Sequence, residues 1–509
     1  MKLFVSAVLL VAAASAAHVP GSVPSNLYEP LEHRLAYAGP RGMTVSWNTF
    51  AKIDKPLVKY SQNPHKLTQD AKGNSVIYPT SRTWNHHVTL QDLKPNTKYY
   101  YTVTGENCHE CPENEVYSFS TSLPAGDKTP YSIAVVVDLG LMGPQGLSTK
   151  VGTGAANPLG PNDTNTIQSL VQNIDSYDFL WHTGDIAYAD YWLKEEIQGY
   201  LSNTTLTGGA ELYETMLESF YDEMQPISSV KPYMVGPGNH EANCDNGGTT
   251  DPVHNITYTY DICLPGQLNF TGYINHFRMP SKESNGVGNF WYSWDHGLVH
   301  YIQLDTETDL GNGILAPDAP GGPEDENSGP FGSYPNEQVD WLAKDLASVD
   351  RSVTPWIVVG AHRPWYASYA NKSSAICTVC KNAFEPLLNK YEVDLVMHGH
   401  IHFYERNAPM KNGVVDPNEL NNPSSPWYIV NGAAGHYDGL DPLQYPIQNY
   451  SRYTTDQAYG WSRITVHNAT HLTQEFVASR NNTVLDSATL YKEHNFKSKG
   501  HSKGYRGQH

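Results

Sequence analysis

Phe179-Leu180-Trp181-His182-Thr183-Gly184-Asp185-Ile186-Ala187-Tyr188 is an apolar run broken by a glycine, with a carboxylate and a phenol following three residues apart. Four other stretches share this construction. Ile133 to Val137 lead into Asp138-Leu139-Gly140, and Tyr233-Met234-Val235 into Gly238-Asn239-His240-Glu241. Trp356-Ile357-Val358-Val359 lead to His362, and Leu395-Val396-Met397 to His398-Gly399-His400-Ile401-His402. Short apolar runs bounded by glycine or proline read as buried strands. Each run therefore delivers a metal-type ligand just past a strand end, which is where α/β sheets bind ligands. Asp185 is the expected centre, because a carboxylate has two oxygens and can hold two ions at once.

The 509 residues allow two to four domains. Residues 1–17 read as a secretory signal: Lys2, an apolar run from Leu3 to Ala14, then Ser15-Ala16-Ala17. That run is too short for a membrane anchor, and no other stretch approaches spanning length. Export without a membrane anchor is expected. Eight Asn-x-Ser/Thr acceptors, at Asn162, Asn203, Asn255, Asn269, Asn371, Asn449, Asn468 and Asn481, predict N-linked glycans. The six cysteines suit an oxidising compartment. They comprise Cys108/Cys111, Cys377/Cys380, Cys244 and Cys263, and their pairing is left open among 15 possibilities. A net charge of −19 repels anions globally, so any anion binding would require a local positive centre. The basic segment 486–509 reads as a solvated, disordered tail rather than a nucleic-acid arm.

Residues 25–123 alternate in short strands: Met43–Trp47, Pro56–Tyr60, His87–Leu90, Lys98–Val103 and Val116–Thr121. This spacing predicts a β-sandwich. Leu93 to Tyr101 resembles the fibronectin type III pattern, with Trp47 as its core aromatic. Ala125-Gly126-Asp127 reads as the linker. Residues 128–485 then alternate strands with helices at Thr164–Ile174, Glu211–Met224 and Asn336–Val349, an α/β signature. Val339, Leu342 and Leu346 mark the expected buried face of the third helix. Phe290–Leu304 reads as a hairpin turning at Asp295-His296-Gly297, and 310–333 as an exposed loop.

Hard and borderline cations prefer aspartate, asparagine, histidine and water. The strand ends supply Asp138, Asp185, Tyr188, Asn239, His362, His400 and His402. His400 and His402 are two apart, which in extended chain puts both on one side. Glycines 140, 184, 238 and 399 let the backbone turn beside the ions. Two ions ~3.5–4 Å apart would clamp the attacking and leaving oxygens of an in-line displacement. Each motif alone has an ordinary structural reading as a turn or a hydrogen-bonded core histidine. All five in order, each after an apolar run, carry the argument.

The set Asp138-x-Gly140, Gly184-Asp185-x-x-Tyr188, Gly238-Asn239-His240-Glu241, Val359-x-x-His362 and Gly399-His400-x-His402 resembles the purple acid phosphatases. These belong to the calcineurin-like metallophosphoesterase superfamily, and the long two-domain plant and fungal form is the one resembled, over residues ~25–485. The resemblance implies a metallophosphoesterase sandwich of mixed sheets flanked by helices, preceded by the all-β domain. It implies that Asp138, Tyr188 and His402 bind a ferric ion. Asn239, His362 and His400 would bind a divalent zinc, iron or manganese ion, and Asp185 would bridge the two. Tyr188 discriminates, because generic metallophosphoesterases lack it and its phenolate gives the family its colour.

The implied function is a secreted acid phosphatase that cleaves small phosphate monoesters by direct attack of a metal-bound hydroxide. His240, beside Asn239, is the expected acid for the leaving alcohol, with support of the metal as its alternative role. Where plant members carry a histidine pair after His362-Arg363-Pro364-Trp365-Tyr366, this chain reads Asn371-Lys372. Lys372 is open to a phosphate contact or to a solvated loop. His182, His398 and His436 read as supporting or core residues, and Tyr404-Glu405-Arg406 as structural. The alternatives are a phosphodiesterase or nucleotidase on the same site, or a non-catalytic secreted glycoprotein. A histidine acid phosphatase is excluded, since no Arg-His-Gly motif occurs.

Overall fold

The computed structural model describes residues 21–494 except 114, 142–158, 160–162, 193–205, 243–249, 252–255, 258–265, 315–328, 369–375 and 436–438. Residues 1–17, Cys244, Cys263, Asn162, Asn203, Asn255, Asn371, Lys372, His436 and most of 310–333 lie outside the described residues.

The N-terminal part is a sandwich of two four-stranded sheets. One sheet runs Leu31–Tyr37, Met43–Thr49, Trp84–Leu90, Asn74–Val76 in spatial order. The other runs Gln69–Lys72, Pro56–Ser61, Lys98–Gly105, Tyr117–Ser120. Trp47, Val58, Val88, Tyr101 and Phe119 bury between them. The strand Leu31–Tyr37 escapes a pattern reading because Glu32, His33 and Arg34 are buried along with its apolar residues. This strand also packs against the helix Leu206–Ser228 of the second domain, so its polar side chains face protein rather than water. Arg34 accordingly donates to Asn48 Oδ1 and to the His276 carbonyl. The linker is packed too: Gly126 N–H donates to the Gly297 carbonyl at 2.8 Å.

Among the described residues, the second domain contains two large sheets. A six-stranded sheet runs Tyr233–Val235, Leu180–His182, Tyr131–Val136, Gly460–Val466, His471–Ala478, Thr483–Tyr491. Its first three strands are mutually parallel and the rest antiparallel. An eight-stranded sheet holds the hairpin Tyr292–His296/Val299–Gln303, then Trp356–Gly360, Leu395–His398 and Trp427–Asn431 in parallel. The two sheets bury nearly continuous apolar strands, as parallel strands covered on both faces require.

The longer helices among the described residues are Thr166–Gln172, closed by an Asn165/Gln168 capping box, Leu206–Ser228, Glu337–Ser348 and Thr378–Lys390. The first is shorter and the second longer than the sequence suggests. On the third, Val339 packs partly buried against the core, while Gln338 is buried beside Leu342 and Leu346. Its amide accepts from Asp305 N–H and donates to the carbonyls of Asp305, Thr308 and Asp309, so a polar side chain fills the buried face.

The boundary drawn at residue 485 falls inside a strand. Thr483–Tyr491 pairs along its length with His471–Ala478. Beyond it, Lys492 Nζ and His494 Nε2 reach Asp394 at 2.7 and 3.3 Å. Basic residues there serve as partners for a buried carboxylate rather than as the start of a solvated tail. The Cys-x-x-Cys pairs each close on themselves, Cys108–Cys111 and Cys377–Cys380. The four described glycan acceptors, Asn269, Asn449, Asn468 and Asn481, are all exposed.

Candidate metal centre

Five parallel strands, three from one sheet and two from the other, end at one place. The turns leaving them are tight. Asp138, Asp185, Tyr188 and His400 have left-handed backbone, with φ of +60°, +53°, +53° and +68°. Aspartate and histidine visit that region fairly readily, whereas a bulky tyrosine there is an outlier. Such backbone costs about 1–3 kcal/mol per residue and persists where surroundings over-determine it. Here the turns are laced together: Asp138 N–H donates to the Gly184 carbonyl and Leu139 N–H to that of Asp185. Gly184, at φ +117°, leaves no space for a side chain, since a Cβ would lie 2.6 Å from His362 Nδ1.

The seven expected residues converge on two atoms. Tyr188 Oη lies 3.0 Å from Asp138 Oδ1, 3.1 Å from Asp185 Oδ2 and 3.0 Å from His402 Nε2. His362 Nε2 lies 3.1 Å from Asp185 Oδ2, 3.1 Å from Asn239 Oδ1 and 3.2 Å from His400 Nδ1. Asp185 Oδ2 belongs to both groups. A phenol has one proton and an imidazole nitrogen at most one, yet each faces three other heteroatoms. Lone pairs therefore converge without protons to separate them, which is the chemistry of a cation site. Asp185, His362 and His400 form a group of ligand atoms within 4.8 Å of one another.

The carboxylates are held by backbone. His400 N–H donates to Asp138 Oδ2 and His240 N–H to Asp185 Oδ1, leaving one oxygen of each for the centre. His402 N–H is anchored on Asp441 Oδ2. Asp138, Asp185, Tyr188, His362 and His402 are buried, while Asn239, His240 and His400 are partly exposed and form the open side.

Burial works against ionised Asp185, but His362, His240 and His400 outweigh it and hold its carboxyl well below the usual carboxylate range. His362 is likewise opposed by burial, yet Asp185 raises it to about 9. Burial, then Asp138 and Asp185, push the Tyr188 phenol well above its ordinary value. Without a cation, Tyr188 is thus a neutral hydrogen-bond donor. A cation in their midst would reverse the direction for His362 and Tyr188 and reinforce it for Asp185.

Three family models match the chain in succession: "Purple acid Phosphatase, N-terminal domain" over 30–121, "Calcineurin-like phosphoesterase" over 131–404 and "Iron/zinc purple acid phosphatase-like protein C" over 425–487. The chain belongs to the purple acid phosphatase family. It is 39% identical to acid phosphatase A of Cryphonectria parasitica, over 96% of each chain. It is 33% identical to an acid phosphatase of Aspergillus ficuum, over 89% of this chain and 85% of that one. A solved purple acid phosphatase from yellow lupin seeds shares the fold with a TM-score of 0.66 at 22% identity, covering 91% of this chain and 75% of that one. The chain is accordingly a phosphatase of the hydrolase class, and its family implies a dinuclear centre.

In this purple acid phosphatase, His240 sits where the sequence places it, beside the two donor groups. Its Nδ1 lies 2.6 Å from Asp190 Oδ2 and its Nε2 3.9 Å from Asp185 Oδ2. The rings of Tyr188 and Tyr191 flank it at 4.2 and 4.8 Å. Asp190 was not singled out from sequence; its only signal is a second acid five residues after Asp185. His182 supports the turn, with Nδ1 2.8 Å from Tyr233 Oη and Nε2 3.2 Å from the Asp185 carbonyl. His398 is a core residue packed on Trp365 and Tyr428. Tyr404 and Arg406 both bond Asp486, and Glu405 accepts from Ser368, all structural contacts.

Proposed function

We propose that this chain is a secreted acid phosphatase that hydrolyses phosphate monoesters at a ferric–divalent centre. The observation that carries this is the sharing of Asp185 Oδ2 between two convergent donor groups. The group of Asp138, Asp185, Tyr188 and His402 offers three oxygens and one nitrogen, which suits a hard trivalent ion. The group of Asp185, Asn239, His362 and His400 offers two nitrogens and two oxygens, which suits a borderline divalent ion such as zinc, iron or manganese. When bound, the ions supply the local positive charge and an activated water for in-line displacement at phosphorus.

The chain's own residues do the rest. The partly exposed Asn239, His240 and His400 face the entering ester, whose phosphate meets a positive centre despite the negative protein. His240 delivers the proton from Nε2 to the leaving alcohol, while Asp190 holds Nδ1–H and fixes the tautomer. Tyr188 and Tyr191 confine the ring. Secretion is supported by the signal-like sequence of residues 1–17, the exposed glycan acceptors and the two closed disulfides. No helix among the described residues is long and apolar enough to cross a membrane.

Elemental analysis with a visible spectrum tests the centre. Two ions per chain, one of them iron, with a purple band is the expected result; one ion or none in active protein overturns it. Comparing a chromogenic phosphate monoester with a diester separates this reading from a phosphodiesterase.

A further inference from the structure

Glu241 belongs to neither donor group and is not the acid. Its carboxylate is nevertheless spent entirely on backbone N–H groups. Oε2 accepts from Asp185 N–H at 2.9 Å and Gly238 N–H at 2.8 Å, and Oε1 accepts from Ile186 N–H at 2.7 Å. These donors lie on two different turns. Asp185 and Ile186 follow the strand Leu180–His182, and Gly238 follows Tyr233–Val235. Each turn carries ligands for a different half of the centre: Asp185 and Tyr188 on the first, Asn239 on the second.

The two turns also touch directly. A Cβ on Gly238 would lie 2.2 Å from Asp185 Oδ1 and 2.5 Å from Asp185 N. His240 N–H closes the contact by donating to Asp185 Oδ1. Three N–H bonds from two turns hold the side chain firmly, because losing any of them leaves a buried N–H without a partner. The Asp185 backbone needs such a hold, since it stands at φ +53°.

We propose that Glu241 is a positioning residue that staples the two turns together and so sets the separation of Asn239 from the bridging Asp185 oxygen. It governs retention of the divalent ion more than that of the ferric ion, whose ligands Asp138, Asp185, Tyr188 and His402 need no contribution from the Gly238 turn. This rests on the dinuclear reading above. Glu241→Gln places an NH2 against one of the N–H donors and breaks at least one of the three bonds. Glu241→Asp keeps the carboxyl group but withdraws it by one methylene.

The test uses the purified full chain, its metal content after dialysis, and its visible spectrum. Supporting groups of this kind typically set metal affinity by about 10–100-fold. The expected result is a wild type with two ions and a Glu241→Gln protein that keeps iron and its visible band but has lost the second ion. Titrated zinc should rebind at least tenfold more weakly. Wild-type loading of both ions by the variant overturns the role of Glu241. A wild type that never holds two ions overturns it through the dinuclear reading, and the wild-type analysis shows which has failed. If Glu241→Gln does not fold, Glu241→Asp carries the same test: weakened zinc supports the staple, and unchanged zinc affinity refutes it.

Discussion

Asp190 Oδ2 lies 2.6 Å from His240 Nδ1, on the side of the ring away from the donor groups. A buried carboxylate so placed keeps the proton on Nδ1 when the ring has given up its other one, and stabilises the ring while it holds both.

Removing that carboxylate should act through the leaving group. Asp190→Asn is expected to lower kcat for alkyl phosphates by about 10²–10⁴-fold, the usual range for a positioned acid. Aryl phosphates, which leave without help, should lose far less. His240→Ala should show the same asymmetry with metal content intact. Steady-state rates on a matched alkyl and aryl pair decide it, and equal losses on both would assign the pair to binding.

Tyr188 separates colour from fold. Tyr188→Phe keeps the ring volume, so packing should change little. The oxidised mutant is expected to lose the purple band, retain wild-type circular dichroism and keep some activity through the remaining ligands. A visible spectrum of the iron-loaded mutant checks this; a surviving band would remove Tyr188 from the ligand set.

The domain interface should be an acid-stable one. Burial raises Glu214 to about 7, against hydrogen bonds from Tyr78 and Thr80 and the charge of Arg82. Burial raises Glu218 to about 8, with Arg82 opposing and Glu214, Asp222 and Glu211 reinforcing. At these two groups the folded state binds more protons than the unfolded chain, so their contribution to stability falls as pH rises from about 4.5 through about 8. The wild type should therefore lose stability relative to Glu218→Gln as pH rises across that range. Unfolding temperatures of the two proteins measured side by side check this. A wild type that gains on Glu218→Gln from pH 5 to 8 would contradict the assignment.

Asp394 behaves in the opposite way. Burial works against its charge, but Arg351, Lys492 and His494 outweigh that and hold it well below the usual carboxylate range. Its contribution is therefore present above about pH 4 and disappears only in stronger acid. Asp394→Asn should destabilise the chain by about 3–5 kcal/mol, because it strands buried cations. Thermal unfolding at neutral pH measures the loss. A truncation after Lys492 should cost less, since Arg351 remains paired.

The convergence of the site's side chains was legible in sequence because each follows a buried apolar run closely enough that geometry is local. Asp138, Asp185, His362 and His400 need only a strand and a turn to be placed. Asp190 was not legible, since its role depends on residue 240 approaching from another strand. Leu31–Tyr37 was hidden for a related reason: Glu32 and Arg34 look solvent-facing until a helix from the other domain covers them. The reading of a tail from 486 differs from the structure over 486–494, because Lys492, which resembles solvated charge, finds the buried Asp394 carboxylate 98 positions earlier in the chain.

The strand Tyr131–Val136, which carries Asp138, has Gly460–Val466 as one neighbour, and Ser132 meets Thr465 across 333 positions of chain. At about 5–20 residues per second, a ribosome needs roughly 20–70 s between making the two. The first ligand-bearing strand therefore waits, half-paired, until almost the whole polypeptide has emerged. Capture of ions at the site would accordingly come late, and would depend on the metals present in the compartment where the chain closes.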